Sequence, residues 1–174
     1  MAVKYDTRDY DHLFDQPSWA ASASFEWSSP DISSDFDYTR YRFRLARYQP
    51  VNRYAMILAR FAYGGSGGFL PMHKRFFLGG LGTLWGLRFK EQMGTEFWLG
   101  NIEYRFKIPR RAVALGVFWD GAQVATDGSK FSDAKHDLGI AAYIGGDVRF
   151  SLAKRLDRGF DDAVRFYVRF RHQF

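Results

Sequence analysis

Cysteine is absent from the 174 residues. That removes disulfides and thiolate metal sites and leaves the redox compartment open. Also missing is any run of about 18 apolar residues, so no helix of this chain spans a bilayer. The four histidines, His12, His73, His136 and His172, lie on different segments, and no ligand spacing suggests zinc. There is no Gly-x-Ser-x-Gly elbow. The run Gly64-Gly65-Ser66-Gly67-Gly68 is not followed by the Lys-Ser/Thr of a phosphate loop and reads as a flexible linker. His136-Asp137 would suit an Asp-His protease only if both side chains met, but strand neighbours face opposite ways. No catalytic residue, metal or cofactor is expected. No charged region followed by an apolar stretch opens the chain, so no signal peptide is expected.

What is present is aromatic and alternating. Phe, Tyr and Trp number 18, 10 and 5, a share that suits the aromatic girdles of an outer-membrane barrel better than a small soluble domain. Near the C-terminus Val164, Phe166, Val168, Phe170 and Phe174 point one way, and Arg165, Tyr167, Arg169, Arg171 and Gln173 the other. The same period of two recurs: Trp19, Phe25 and Trp27 against Ser22, Ser24 and Glu26; Tyr41, Phe43 and Leu45 against Arg40, Arg42 and Arg44; Ile102, Tyr104 and Phe106 against Glu103, Arg105 and Lys107; Val117 and Trp119 against Gly116, Phe118 and Asp120. No stretch shows a 3.6 period. A greasy face and a charged face on every strand mean either a soluble sandwich, whose greasy face meets a second sheet, or a membrane barrel with lipid outside and a wet interior. The net charge of +6 and the ladder Arg40, Arg42, Arg44, Arg60, Arg105, Arg149, Arg165, Arg169, Arg171 fit either an anion-favouring pore or an interior cross-linked to acids such as Glu26 and Asp137.

In 138–152 the even positions stay apolar throughout. A single strand of that length would rise ~50 Å, whereas about 9–11 residues suffice to span. Gly145-Gly146-Asp147 therefore reads as a hairpin turn. The expectation is an all-β, antiparallel transmembrane barrel domain over 1–174 with eight strands: 17–27, 38–48, 53–64, 96–108, 112–121, 137–144, 147–154 and 163–174, with 2–9 as a possible ninth. Tight turns (50–52, 109–110, 145–147) alternate with long connections (28–37, 65–95, 122–136, 155–162), as in outer-membrane proteins.

Several segments occur in an order that resembles a known family. They are Arg75-Phe76-Phe77-Leu78-Gly79-Gly80, Leu84-Trp85-Gly86-Leu87, Asn101-Ile102-Glu103-Tyr104-Arg105-Phe106, Val117-Phe118-Trp119-Asp120-Gly121-Ala122, the terminal Phe174 and the early Tyr5-Asp6-Thr7-Arg8-Asp9. Together they are similar to the C-terminal half of the barrel in the BamA/TamA/FhaC superfamily, the bacterial surface antigen domain. The resemblance implies a bacterial outer-membrane barrel that inserts, assembles or exports client polypeptides. It also implies that loop 65–95 folds into the lumen, where an arginine at its tip pairs with wall acids. The acids match Glu103 and Asp120. The tip matches Leu84-Trp85-Gly86-Leu87, so Trp85 stands in the arginine's place and Arg88 becomes the candidate cation, with Gly86 beside it. Phe166, Phe170 and Phe174 resemble the signal by which assembly machinery recognises a new barrel.

Family barrels have about sixteen strands, and an eight-stranded interior only just holds its own side chains. Three arrangements reconcile the count: a barrel closed on itself with the loop outside, a homodimer pairing edge to edge, or a piece of a longer chain. The loop and its wall acids favour the dimer. A structural or anion-favouring pore with no assembly role is the alternative function. Nucleic acid is not an expected partner, because single-strand binders put aromatic and basic residues on one face and here they take opposite faces.

Overall fold

Eleven strands form in the computed structural model, which describes residues 1–9, 12–30, 35–145, 148–158 and 163–170. They are β1 (Ala2–Asp6), β2 (Ser18–Ser28), β3 (Tyr38–Asn52), β4 (Ala55–Gly68), β5 (Phe76–Leu78), β6 (Gln92–Gly94), β7 (Glu96–Lys107), β8 (Val113–Ala125), β9 (Lys135–Ile144), β10 (Val148–Arg155) and β11 (Arg165–Phe170). Nine build one antiparallel sheet in the order β1-β2-β3-β4-β7-β8-β9-β10-β11, and β5 and β6 pair as a separate hairpin. Every strand of the large sheet pairs with its neighbour in sequence. The segment at 2–9 is thus a ninth strand, in register with β2 from Ala2 opposite Ser24 to Asp6 opposite Ala20. β1 and β11 are the two ends of the sheet, which is not closed among the described residues.

The sheet is inverted relative to a soluble protein. Ile102, Val117 and Ile140 are 53, 53 and 56 % exposed, while Asp120 and Asp137 are 1 and 0 % exposed. Each outward Phe, Leu or Ile moved from water into hydrocarbon gains about 1.5–3 kcal/mol, so this face is stable in lipid and a liability in water.

Two expectations on connections change. Gly64–Gly68 is no linker: it is the end of β4, with Gly64 opposite Arg42, Gly65 opposite Tyr41 and Gly68 opposite Tyr38. The glycines are there for close approach. A Cβ on Gly65 would lie 2.4 Å from the Tyr41 hydroxyl, and one on Gly64 would lie 2.7 Å from the Phe97 ring. The turn expected at 50–52 shifts to Arg53–Tyr54 because β3 runs on through a bulge between Pro50 and Asn52; proline has no N–H for the ladder. The turn at 109–110 stands, with Arg110 at φ 62°. Gly145 has φ 63°; Gly146 and Asp147, the rest of that expected turn, lie outside the described residues. At the short-turn rim the β1–β2 connection tucks Leu13 and Phe14 against Tyr48, Met56 and Leu58.

Candidate functional site

The long connection between β4 and β7 lies on the inner face rather than outside the sheet. It leaves β4 through a 3-10 turn at Met72–Lys74 and rises through the β5–β6 hairpin, in which Phe76 faces Gly94 and Leu78 faces Gln92. It then folds back over residues 79–91. Gly79 and Gly80, at φ 115° and 82°, make the reversal, a backbone conformation costly for other residues. A Cβ on Gly79 would lie 2.2 Å from the Arg88 carbonyl. Inside the tip, the Gly80 N–H donates to Leu84 O at 2.8 Å and the Lys90 N–H to Gly79 O at 3.2 Å.

Apolar contact holds the tip down first. Leu84 and Leu87, both fully buried, join Phe76 and Leu78 against Ala62, Phe97, Leu99, Ala122 and Val124 of the inner wall. Beside this patch runs a polar row set by strand register. Arg60 on β4 pairs with Asn101 on β7, Asn101 with Asp120 on β8, Asp120 with Asp137 on β9, and Asp137 with Arg155 on β10. Buried carboxyls are costly without donors, and the loop supplies one. The Gly86 N–H donates to Asp137 Oδ2 at 2.8 Å. Asn101 Nδ2 donates to Asp120 Oδ1 at 2.5 Å and to the loop carbonyl of Thr83 at 3.2 Å. Gly86 is seated so closely that a Cβ would lie 2.6 Å from Asp137 Cβ and 3.1 Å from Arg155 N.

Trp85, beside it, is fully buried. Its ring lies 5.7 Å from Tyr167 and 6.2 Å from Phe118, and the Arg149 guanidinium sits 4.4 Å over it. The same Arg149 pairs with Glu103 at 3.2 Å. Arg105 pairs with that carboxylate at 3.0 Å, and the Tyr143 hydroxyl donates to it at 2.5 Å. So the cation that the resemblance expects from the loop comes from the wall, on β10, and the loop contributes the aromatic ring above it.

The last strands finish the grip. Arg165 Nε donates to Gly86 O and the Tyr167 hydroxyl to Leu87 O, each at 2.9 Å. Arg155 pairs with Glu91 of the loop and with Asp157 at 2.7 Å, and Lys135 reaches Asp157 at 3.3 Å. The hydrogen bond from Arg155, aided by Lys135, holds the Asp157 carboxyl down to about 2 against the opposing effect of burial.

Of the residues singled out in the sequence, Gly86, Glu103 and Asp120 gather at this site. Arg88 does not. It is exposed, and its backbone N–H donates to Glu91 at 2.8 Å; Glu103 takes Arg105 and Arg149 instead. A side chain three residues past Trp85 leaves the buried turn before it can reach the wall. Phe166 and Phe170 face outward and are exposed, Phe166 stacking on Phe150 with centroids 6.4 Å apart. Phe174 lies outside the described residues. His136 and Asp137 do part company: Asp137 points inward, and His136 stacks on Trp119 at 5.6 Å. The contributors not foreseen are Asp137, Arg149, Arg165 and Tyr167. Alternation put all four on the wet face, but only register shows which of them lie under the tip.

No curated protein matches this chain. Residues 1–161 match the Omp85 superfamily domain. With its ordered motifs, its antiparallel sheet and its inward-folded loop, the chain belongs to the Omp85 superfamily.

Proposed function

We propose that this chain is a bacterial outer-membrane β-barrel that acts in the insertion or passage of other polypeptides. Omp85 superfamily proteins are bacterial outer-membrane proteins that serve assembly and translocation, and the sheet's apolar outer face suits the same solvent. The observation that carries the reading is the loop tip seated on the inner wall through Gly86 and Asp137. A lumenal segment gripped by every strand from β7 to β11 is a device for holding a wide interior in one shape while its edges engage clients.

In lipid, each unpaired backbone group at the ends of the sheet costs several kcal/mol. β1 and β11 therefore meet each other, another copy's edge in a homodimer, or further strands of a longer chain. Phe166, Phe170 and Phe174 would mark this terminal strand for assembly. The lock is reassigned to Trp85 and Gly86 on the loop with Asp120, Asp137 and Arg149 on the wall, and Glu103 fixes Arg149.

The direct test is reconstitution in liposomes. Adding a urea-unfolded outer-membrane barrel should give faster folding of that client, read as heat-modifiable gel migration, than empty liposomes give. Equal rates would overturn the proposal. The anion-favouring pore is supported by the inner-face arginines. Steady anion-selective conductance in a planar bilayer, together with no effect on client folding, would establish it instead.

A further inference from the structure

The inner face of β2, β3 and β4 borders a cavity of about 1180 Å³ that reaches the loop at Leu81, Gly82 and Thr83, and Arg42, Arg44 and Arg60 all stand on it. Small residues flank each of them in register. Arg44 sits between Ser22 and Ala62, Arg42 between Ser24 and Gly64, and Arg60 beside Ala46. The strands thus leave empty depth around three guanidinium groups.

Among the described residues, these three cavity arginines lack an ion pair, Arg60 feeling only the more distant charge of Asp120 across Asn101. Arg105 and Arg149 are spent on Glu103, Arg8 on Asp6 and Arg40 on Glu26. Arg42, Arg44 and Arg60 have no carboxylate in ion-pair contact among the described residues, and the Nε atoms of Arg42 and Arg60 are buried with no hydrogen-bond partner. Among the described residues the only acid on the cavity wall is Asp6, already bonded to Arg8. Arg42 is also held in place: its guanidinium lies 5.2 Å from the Phe76 ring centre and 5.8 Å from that of Phe97. Aromatic contact on the flat face of a guanidinium leaves its in-plane N–H groups free to donate.

Like charges side by side are unfavourable unless a counter-charge joins them. Two arginines two residues apart on β3 and a third diagonally placed on β4 form a triangle rather than a line. A planar carboxylate offers two oxygens in one plane, whereas a tetrahedral phosphoryl group offers three in different directions. We infer that Arg42, Arg44 and Arg60 form a binding site for a ligand carrying two or more phosphoryl groups, taken inside the sheet between β2–β4 and the loop. The phosphoryl groups belong to a soluble oligophosphate or to a lipid headgroup, and the two sources separate experimentally.

Tripolyphosphate titrated calorimetrically into the full chain in non-ionic detergent is the first arm, and phosphatidylcholine vesicles with and without lipid A, whose headgroup carries two phosphates, the second. The expected result is saturable binding in one arm, weakened at least tenfold by Arg42→Gln with Arg44→Gln and about threefold by Arg60→Gln alone. Arg88→Gln, an exposed arginine outside the cavity, should leave it unchanged. Each variant is checked for folding by heat-modifiable migration, and Arg60→Gln serves alone if the double variant fails that check. Saturable tripolyphosphate binding names the soluble source; binding confined to the vesicles with lipid A names the lipid. Absence of saturable binding in both arms, or binding equally weakened by Arg88→Gln, would overturn the site.

Discussion

One sheet carries two inner surfaces that share a pleat and differ in everything that covers them. Under the loop, from β7 to β11, most charges meet a partner: Glu103 meets Arg105 and Arg149, Asp137 the Gly86 N–H, Arg155 Glu91 and Asp157, while one oxygen each of Asp120 and Asp137 stays unbonded. Over β2–β4, Arg42 and Arg60 keep buried, unbonded Nε atoms. Alternation delivers polar residues to the inside in both places. What distinguishes them is that the loop brings hydrogen-bonding and charged partners to one and only the ring of Phe76 to the arginines of the other, so the first is a structural joint and the second an unfilled surface.

The contrast breaks most severely if the joint is emptied. Trp85→Ala should destabilise the loop by about 3–5 kcal/mol, the usual loss for a buried Trp. Hydrogen exchange should then show 79–91 deprotected while the strands hold. Next comes the matched charge: Arg149→Gln should cost about 3 kcal/mol, the loss typical of one partner of a buried pair, measured by urea unfolding in detergent. Arg44→Gln, exposed on the other surface, should fall within about 0.5 kcal/mol of the parent. Equal losses at the two positions would erase the distinction. Gly86→Ala is expected to cost about 1–3 kcal/mol by overpacking, with faster proteolysis within the loop.

Acid offers a gentler probe. Asp157 is held down to about 2 in the folded chain, against about 3.9 when unfolded. Its clamp on Arg155 and Lys135 therefore contributes fully above about pH 4, fades below it, and is lost as the pH falls through about 2. Protection of 79–91 should decline over that window, and Asp157→Asn should remove the decline. Smallest of all, Arg88→Ala should shift stability by no more than about 0.5 kcal/mol, since the side chain is exposed. A loss comparable to that of Arg149→Gln would restore Arg88 to the lock.

The strands, their faces and the alternation of short and long connections were legible in the sequence because period two needs no partner to be seen. Glu103, Asp120 and Gly86 were legible through their motifs. The β5–β6 hairpin was not, since three-residue strands are too short for a pattern. The last turn of β4 was misread because its glycines serve the rings of Tyr41 and Phe97 from elsewhere in the chain. Asp137 and Arg149 stayed anonymous for another reason. Periodicity assigns a residue to a face, but its row depends on register, which turn lengths and the bulge between Pro50 and Asn52 settle only in three dimensions.

The bonds from Arg165 and Tyr167 to Gly86 and Leu87 span 79 and 80 residues of sequence, and they bear on time as well as shape. Long-range closures are slow to form. Until β11 pairs with β10, the loop tip lacks two of the bonds that fasten it, so its seat stands half-built. Addition of β11 to the sheet and latching of the loop tip are then one event, and a sheet that lacks β11 is recognisably unfinished from the inside.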